Sequence, residues 1–182
     1  MLTDTSGRTY DFARETGGSP TLLFFGYTHC PDECPTALAD IRAALQQSPP
    51  EVRERTKVVF VTTDPARDDA ATLRRWLDQY SPSYVGLRGT QEQVRAATAS
   101  VRAAQPRKAG PVPTLPGRPD AHEHAPGTAP HEHDSPLGYG VDHSTAIFAF
   151  DASDRLPVIY RGAVSPSDIA ADLPVLAREE SS

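Results

Sequence analysis

The 182-residue sequence predicts an α/β fold in which a central mixed sheet is flanked by helices. Two observations lead to this prediction. Short apolar runs with the composition of buried strands alternate with segments of about 10–15 residues that have helical periodicity, as in parallel sheets. Near the C-terminus, two apolar runs are separated only by a short polar turn, which indicates an antiparallel hairpin. Parallel and antiparallel neighbours together make the sheet mixed.

The first hundred residues contain an entry segment and three strand–helix units. Residues 1–20 are polar and hairpin-like, with a turn at Ser6-Gly7. The predicted units are strand 21–25 with helix 34–48, strand 57–63 with helix 69–80, and strand 84–87 with helix 91–103. Pro49-Pro50 is expected to end the first of these helices.

The character of the sequence changes at residues 105–137. This stretch contains eight of the 18 prolines and four of the six histidines, and it has no hydrophobic period. It is therefore predicted to be a disordered or extended insertion within a single domain spanning residues 1–182. The fold resumes with the hairpin strands 144–150 and 156–160. A last helix is expected to begin at Ser165-Pro166, where serine can cap and proline suits the first turn.

Charge and composition exclude several classes of function. A net charge of −6 argues against nucleic acid or an anionic membrane surface as a partner. Two cysteines do not make the disulfide framework of a small secreted protein. No apolar run approaches the roughly 20 residues that a membrane span needs, and no signal-peptide pattern is visible. The expectation is a cytosolic protein, or one whose N-terminal anchor has been removed.

Both cysteines lie in the segment FFGYTHCPDECP, directly after the first core strand and at the start of the following helix. Helix N-termini carry free N–H groups and a partial positive charge, which favour thiolate over thiol. In a helix, Cys30 and Cys34 would lie on one face with Cα atoms roughly 6 Å apart. That spacing suits a redox disulfide, and it equally suits two thiolates that chelate one soft metal ion. A pair of inert structural cysteines is the third alternative.

The order of elements resembles the thioredoxin-like arrangement, and three motifs resemble those of the SCO/SenC copper-assembly proteins. The first motif is C-x-x-x-C-P at residues 30–35, preceded by GYTH. The second is VTTDPARD at residues 61–68, and the third is VDHS at residues 141–144. The resemblance implies a thioredoxin-like fold that binds copper, as Cu(I) or Cu(II), through Cys30, Cys34 and His143.

The same resemblance implies a partner and a location. The partner would be the copper-accepting subunit of cytochrome c oxidase, whose binuclear copper centre the family serves, or a copper donor protein. The location would be the extracytoplasmic face of the membrane, with membrane contact only through an N-terminal anchor outside this sequence. Two thiolates and one imidazole form a soft set of low coordination number that favours Cu(I), whereas zinc normally takes four ligands. The alternative for His143 is a hydrogen-bonded core histidine.

Other polar residues near the motifs have smaller expected roles. His29 is expected to line the site rather than bind metal, since a residue adjacent to a helical cysteine points away from its i+4 partner. Asp64 is expected to cap the following helix or shape the nearby loop. Asp142 is expected to hydrogen-bond a group near His143. Asp32 and Glu33 would make a docking face acidic, or would simply be solvated.

The insertion contains two His-Glu-His units. Their histidines could form an auxiliary Cu(II) or Zn(II) site, because histidine-rich tracts bind divalent metals, or they could belong to a low-complexity expansion with no role. The four residues are His122, His124, His131 and His133.

Two functions fit the sequence. In the first, a metallochaperone holds copper by Cys30, Cys34 and His143 and passes it on by ligand exchange; such a protein is not an enzyme. In the second, a thiol–disulfide oxidoreductase reduces the cysteines of the acceptor's copper site. In that enzyme, Cys30 and Cys34 are the redox pair, and Cys30 is the attacking thiolate because it is nearer the helix start and more exposed.

Overall fold

The computed structural model describes residues 1–111, 139–162 and 164–178. Seven strands of these segments form a mixed sheet, which confirms the predicted fold class. In spatial order the strands are β2 (Thr9–Tyr10), β1 (Leu2–Asp4), β5 (Val85–Arg88), β4 (Lys57–Thr62), β3 (Thr21–Gly26), β8 (Ile147–Phe150) and β9 (Val158–Tyr160). The neighbours β3, β4 and β5 are parallel, and every other pairing within the sheet is antiparallel.

The described residues also form six helices. They are α1 (Phe12–Thr16), α2 (Glu33–Gln47), α3 (Pro50–Arg55), α4 (Ala70–Asp78), α5 (Gln91–Ser100) and α6 (Pro166–Leu176). Helices α2, α4, α5 and α6 confirm the predicted helices, and Ser165 caps α6 as expected by accepting the N–H of Asp168 at 3.2 Å. Helices α1 and α3 were not predicted, because five or six residues are too few to show a helical period. Pro50 begins α3 rather than only ending α2.

Strand β3 is the centre of the core, and all six of its residues are buried. Alternate side chains point to opposite faces of a strand. Leu22 and Phe24 therefore pack in the larger apolar cluster, together with residues of α2, α4 and α6. Leu23 and Phe25 pack on the other face, against residues of α1 and α5. The sheet is thus covered on both faces, and β3 delivers the cysteine loop from the middle of the molecule.

Two further strands, β6 (Arg107–Pro111) and β7 (Tyr139–Asp142), form a separate antiparallel ribbon in which Arg107 lies opposite Asp142. Residues 107–111 lie within the segment predicted to be a disordered or extended insertion, and their pairing with β7 was not predicted. The segment RKAGP has no alternating pattern, and its pairing partner lies about thirty residues further along the chain, so local periodicity could not reveal it. Residues 112–137 of the predicted insertion, including its four histidines, lie outside the described residues.

None of the helices within residues 1–111, 139–162 and 164–178 is long and apolar enough to cross a membrane.

Candidate metal centre

The cysteine loop begins where β3 ends. The carbonyl of Tyr27 accepts the N–H of Cys30 at 3.2 Å, which closes a tight turn before α2. Helix α2 begins at Glu33, so Cys34 lies in its first turn whereas Cys30 precedes the helix. The expectation that both cysteines share a helical turn was therefore wrong. The two side chains still meet, because the sulfur of Cys30 lies over the helix start and accepts the N–H of Cys34 at 3.4 Å.

The close approach of Cys34 to β3 depends on Gly26. A Cβ atom at this position would lie 2.7 Å from the sulfur of Cys34 and 3.0 Å from ring atoms of both Phe24 and Phe60. Distances below about 3 Å are shorter than van der Waals contact allows. The last residue of β3 must therefore be glycine if the helix start is to pack against the strand with its cysteine in place.

The two thiols have opposite pKa shifts. The hydrogen bond from the Cys34 side chain, with help from backbone N–H groups at the helix start, lowers the pKa of Cys30 from 9.0 to about 4. Burial and the adjacent Cys30 sulfur raise the pKa of Cys34 well above its ordinary value. Burial disfavours the charged form of Cys34, and a second negative sulfur would be repelled by the first, so one proton stays on the pair and is shared as a hydrogen bond. At neutral pH, Cys30 is a thiolate and Cys34 is a thiol.

His143 completes the cluster, although it lies 109 positions from Cys34 in the sequence. It follows β7 directly, and its Nε2 atom lies 3.5 Å from the sulfur of Cys34. The Nδ1 atom lies 2.8 Å from the carbonyl oxygen of Ser144, which can only accept, so Nδ1 carries the proton and donates. In the neutral ring, Nε2 then keeps its lone pair facing the sulfurs, which is the arrangement that metal coordination requires.

Aromatic rings fix the plane of the His143 imidazole. The ring of Tyr27 lies edge-on at a centroid distance of 5.5 Å, and the ring of Phe24 lies edge-on at 6.3 Å. Such T-shaped contacts are favourable for aromatic quadrupoles and restrict rotation of the histidine. The ring is therefore preorganised by its neighbours as well as by its hydrogen bond to Ser144.

The donor set fits a copper ion. The ligand atoms of Cys30, Cys34 and His143 all lie within 4.8 Å of one another. Donors that surround one ion at about 2.0–2.3 Å are at most about 4.5 Å apart, so small side-chain rotations would bring all three into contact. Two thiolates and one imidazole are soft ligands of low coordination number, which suits Cu(I) better than harder divalent ions.

The structure also places the other candidate residues. His29 lines the cysteine loop, with its Nδ1 atom 3.0 Å from the hydroxyl of Thr28, and it is not part of the three-residue cluster. Asp64 shapes the nearby loop by pairing with Arg67. It does not cap α4, because Asp69 accepts the N–H of Thr72 there at 2.7 Å.

Three acidic residues lie at the rim of the site. Asp32, Glu33 and Asp142 are exposed, and Asp32 immediately precedes α2. No hydrogen bond from Asp142 to a group near His143 is seen in the described part of the chain, so that expectation is not supported. His122, His124, His131 and His133 lie outside the described residues, and the auxiliary site stays a prediction.

Sequence reasoning missed three residues that support the site, namely Arg67, Asp68 and Tyr139. Asp68 is completely buried and accepts hydrogen bonds from Thr28 in the cysteine loop. The guanidinium of Arg67 lies 3.7 Å from the ring of Tyr139, at the start of β7. A signal was available, since a charged Arg-Asp pair lies in the loop that follows a buried strand, within the motif VTTDPARD. Such charges are rarely buried without partners.

Together, the fold and the site define a thioredoxin-like dithiol protein whose cysteine pair faces a histidine. The SCO1/SenC family model matches residues 1–178, and the chain belongs to this family. The structure resembles that of Bradyrhizobium japonicum ScoI with copper bound, with a TM-score of 0.71 and 30% identity over 96% of this chain and 95% of that one. This similarity confirms the predicted thioredoxin-like fold and the predicted family.

Two further relatives extend the comparison. The mouse mitochondrial SCO2 homolog is 32% identical over 133 residues, which are 72% of this chain and 43% of that protein. BsSco, a Sco-family cytochrome c oxidase assembly protein with a disulfide switch, has a TM-score of 0.63 and 16% identity over 97% of this chain and 90% of that one. The chain spans between 42% and 63% of the lengths of the first curated relatives that it matches.

Proposed function

We propose that this protein is a copper metallochaperone that holds one copper ion by Cys30, Cys34 and His143. It would deliver the ion to the binuclear copper centre of cytochrome c oxidase. One observation carries the proposal. A histidine 109 residues away from Cys34 in sequence approaches its sulfur to 3.5 Å, with the unprotonated ring nitrogen turned towards it. The copper bound by the related ScoI protein supports this choice of metal.

The pKa shifts suggest an order for loading. The Cys30 thiolate is already ionised at neutral pH, so it can take up Cu(I) without losing a proton. Cys34 then loses its proton as its sulfur binds, because the positive ion removes the repulsion that kept it protonated. The Nε2 atom of His143, which faces the sulfurs, adds the third ligand.

Release would proceed by ligand exchange with thiolates of the acceptor. Cys34 is fully buried, whereas Cys30 is 9% exposed and His143 is half-buried at the rim. Incoming sulfur ligands can therefore reach the ion from the side of Cys30 and His143. Because each new bond replaces an old one, the ion need never be free, and the oxidation state of copper does not change.

The partner and the location are part of the proposal. The acceptor would be the copper-receiving subunit of cytochrome c oxidase, and the donor would be another copper protein. The relation to BsSco, a cytochrome c oxidase assembly protein, supports the choice of acceptor. An extracytoplasmic location at the membrane is supported by relatives that include a mitochondrial SCO2 homolog and a Bacillus anthracis SCO1/SenC family lipoprotein.

The opposite pKa shifts of the cysteines favour a second candidate function, thiol–disulfide exchange. The Cys30 thiolate would attack a disulfide of the acceptor and form a mixed disulfide, releasing one acceptor thiolate. Cys34 would then lose its proton and attack Cys30, which forms the Cys30–Cys34 disulfide and releases the second acceptor thiolate. The acceptor gains two electrons and this protein loses two. Such a step would prepare an oxidised acceptor for copper.

Substitution of His143 separates the two functions. In His143→Ala, we expect Cu(I) transfer to a competing chelator to become at least about tenfold faster, because one of three ligands is lost. Exchange of the cysteine pair with a small disulfide should remain largely intact. His29→Ala is the matched control, since it removes a neighbouring histidine outside the cluster and should retain copper. Unchanged copper retention in His143→Ala, together with loss of disulfide exchange, would contradict the chaperone proposal.

A further inference from the structure

The segment between β4 and α4 contacts both the loop that carries Cys30 and the strand β7 that precedes His143. Its fully buried residue Asp68 holds the cysteine loop. One carboxylate oxygen of Asp68 accepts the backbone N–H of Thr28 at 3.0 Å and the hydroxyl of Thr62 at 2.6 Å, and the other accepts the hydroxyl of Thr28 at 2.6 Å. These bonds tie the loop before Cys30 to the end of β4.

The adjacent residue Arg67 holds strand β7, which leads to His143. Its Nη2 atom donates to the carbonyl oxygen of Tyr139 at 2.9 Å, and the guanidinium carbon lies 3.7 Å from the centroid of the Tyr139 ring. Asp64 orients this guanidinium by pairing with its Nε atom, and it accepts the hydroxyl of Tyr139 at 2.9 Å. Arg67, Asp64 and Tyr139 therefore form a closed three-residue clasp.

The clasp attaches strand β7, and with it His143, to the segment between β4 and α4. Tyr139 is the first residue of β7, and Asp142, its last, immediately precedes His143. Strand β7 pairs with β6 and not with the seven-stranded sheet, within residues 1–111, 139–162 and 164–178. Ladder hydrogen bonds in the described part of the chain therefore do not fix the ribbon against the sheet. Side-chain contacts must do so, and the clasp contributes a stacked, charge-assisted contact with the main chain.

We propose that Arg67 is a positioning residue that, by clasping Tyr139, holds the β6–β7 ribbon so that His143 faces the cysteine pair. Since Asp68 anchors the cysteine loop from the next position, one rigid segment sets the separation between the sulfurs and the imidazole. Arg67 itself does not contact copper in this account. The inference rests on the proposed copper-holding function, which it deepens by naming how the third ligand is placed.

Arg67→Lys is the main test. Lysine keeps the positive charge but lacks the planar fork that reaches a carboxylate and a carbonyl at once while stacking on a ring. We expect Cu(I) loss to a competing chelator to become about tenfold faster, which is the lower end of the effect of changing a residue that orients a metal ligand.

Arg74→Lys is the matched control. Arg74 is also partly buried, pairs with Asp78 at 2.9 Å and donates to the carbonyl of Tyr84 at 2.7 Å, but it lies on α4 and contacts none of the three proposed ligands. We expect its substitution to change the rate of copper loss by less than about twofold, as is usual for independent sites. Equal rates for the two lysine variants would overturn the proposal.

A double-mutant cycle tests whether Arg67 acts through His143. In a His143→Ala background, we expect Arg67→Lys to add less than about a twofold change, because the ligand that it positions is absent. A full tenfold effect in that background would overturn the proposal. If Arg67→Lys does not fold, as its melting curve would show, Tyr139→Phe tests the same contact by removing only the hydroxyl bonded to Asp64. It should then accelerate copper loss, and only when His143 is present.

A metal-free measurement separates failure of this inference from failure of the proposed function. If the wild-type protein does not retain Cu(I), the copper proposal fails, but the clasp can still be tested by NMR of the His143 ring. The Nδ1–H proton bonded to Ser144 should exchange slowly in the wild type and in Arg74→Lys, and rapidly in Arg67→Lys. Equal exchange in all three proteins would overturn the positioning role.

Discussion

The most quantitative expectation concerns the charge on Cys30. With its pKa lowered from 9.0 to about 4, Cys30 is about 99.9% thiolate at pH 7, whereas an ordinary cysteine would be about 1% ionised. The first cause is the hydrogen bond donated by the Cys34 thiol. The perturbation that tests this cause is Cys34→Ala, which removes the donor, and the matched control is Cys34→Ser, which retains a hydroxyl donor of similar size.

The rate at neutral pH alone would not reveal this shift. Ionisation favours Cys30 by about a hundredfold at pH 7, but the lower basicity of the thiolate reduces its intrinsic reactivity by a similar factor for a Brønsted slope of about 0.4–0.5. At pH 5 the gain from ionisation is about ten-thousandfold, so Cys30 should react about a hundred times faster than an ordinary thiol. The pH profile is therefore the informative quantity.

The assay is the rate of reaction with a small disulfide between pH 5 and pH 8. We expect a nearly constant rate for the wild type and for Cys34→Ser. For Cys34→Ala we expect a rate that rises with pH, because the pKa of Cys30 returns towards its ordinary value. A wild-type rate that rises tenfold per pH unit would refute the lowered pKa, and identical profiles for Cys34→Ala and the wild type would refute the assigned cause.

Three further predictions concern metal binding and packing. Cys30 is ionised above about pH 4, and Cys34 holds the remaining proton of the pair. Binding of Cu(I) near pH 7 should therefore release about one proton, which calorimetry in buffers of different ionisation enthalpy can measure. For the same reason, copper affinity should fall on acidification. Release of no proton or two would contradict the assigned charge states. Gly26→Ala should destabilise the protein by about 1–3 kcal/mol in denaturant unfolding and weaken copper retention, because its Cβ would overlap the Cys34 sulfur; wild-type stability would contradict this packing. Alanine at His122, His124, His131 and His133 should lower the Cu(II) stoichiometry in titration calorimetry if the auxiliary site exists, and an unchanged stoichiometry removes it.

Local periodicity predicted the elements that are long and uniform. Strand β3 and helix α2 follow directly from the apolar run at Leu22–Phe25 and from the helical spacing of Leu38 and Ile41. The ribbon could not be predicted in this way. Its strands are short, contain glycine and proline, and pair across a long stretch of sequence. Long-range pairing is decided by the folded molecule, because no local pattern encodes the partner.

The candidate site, too, was only partly predictable from the sequence. The resemblance of three motifs to those of the SCO/SenC family gave Cys30, Cys34 and His143 as expected ligands, and the fold brings their ligand atoms together. The sequence predicted a helix over residues 34–48, but it could not show that the loop places the Cys30 sulfur over the helix start, since backbone conformation in this turn depends on how Gly26 and Tyr27 end the strand. Nor could it show that Arg67 reaches Tyr139, because that contact joins residues 72 positions apart.

X-ray absorption spectroscopy of the Cu(I)-loaded protein tests the convergence of the three ligands most directly. The structure leads us to expect two sulfur scatterers and one nitrogen scatterer per copper ion, with the nitrogen lost in His143→Ala and retained in His29→Ala. A site coordinated by sulfur alone, or a nitrogen contribution that survives His143→Ala, would contradict the assignment of His143 as a ligand.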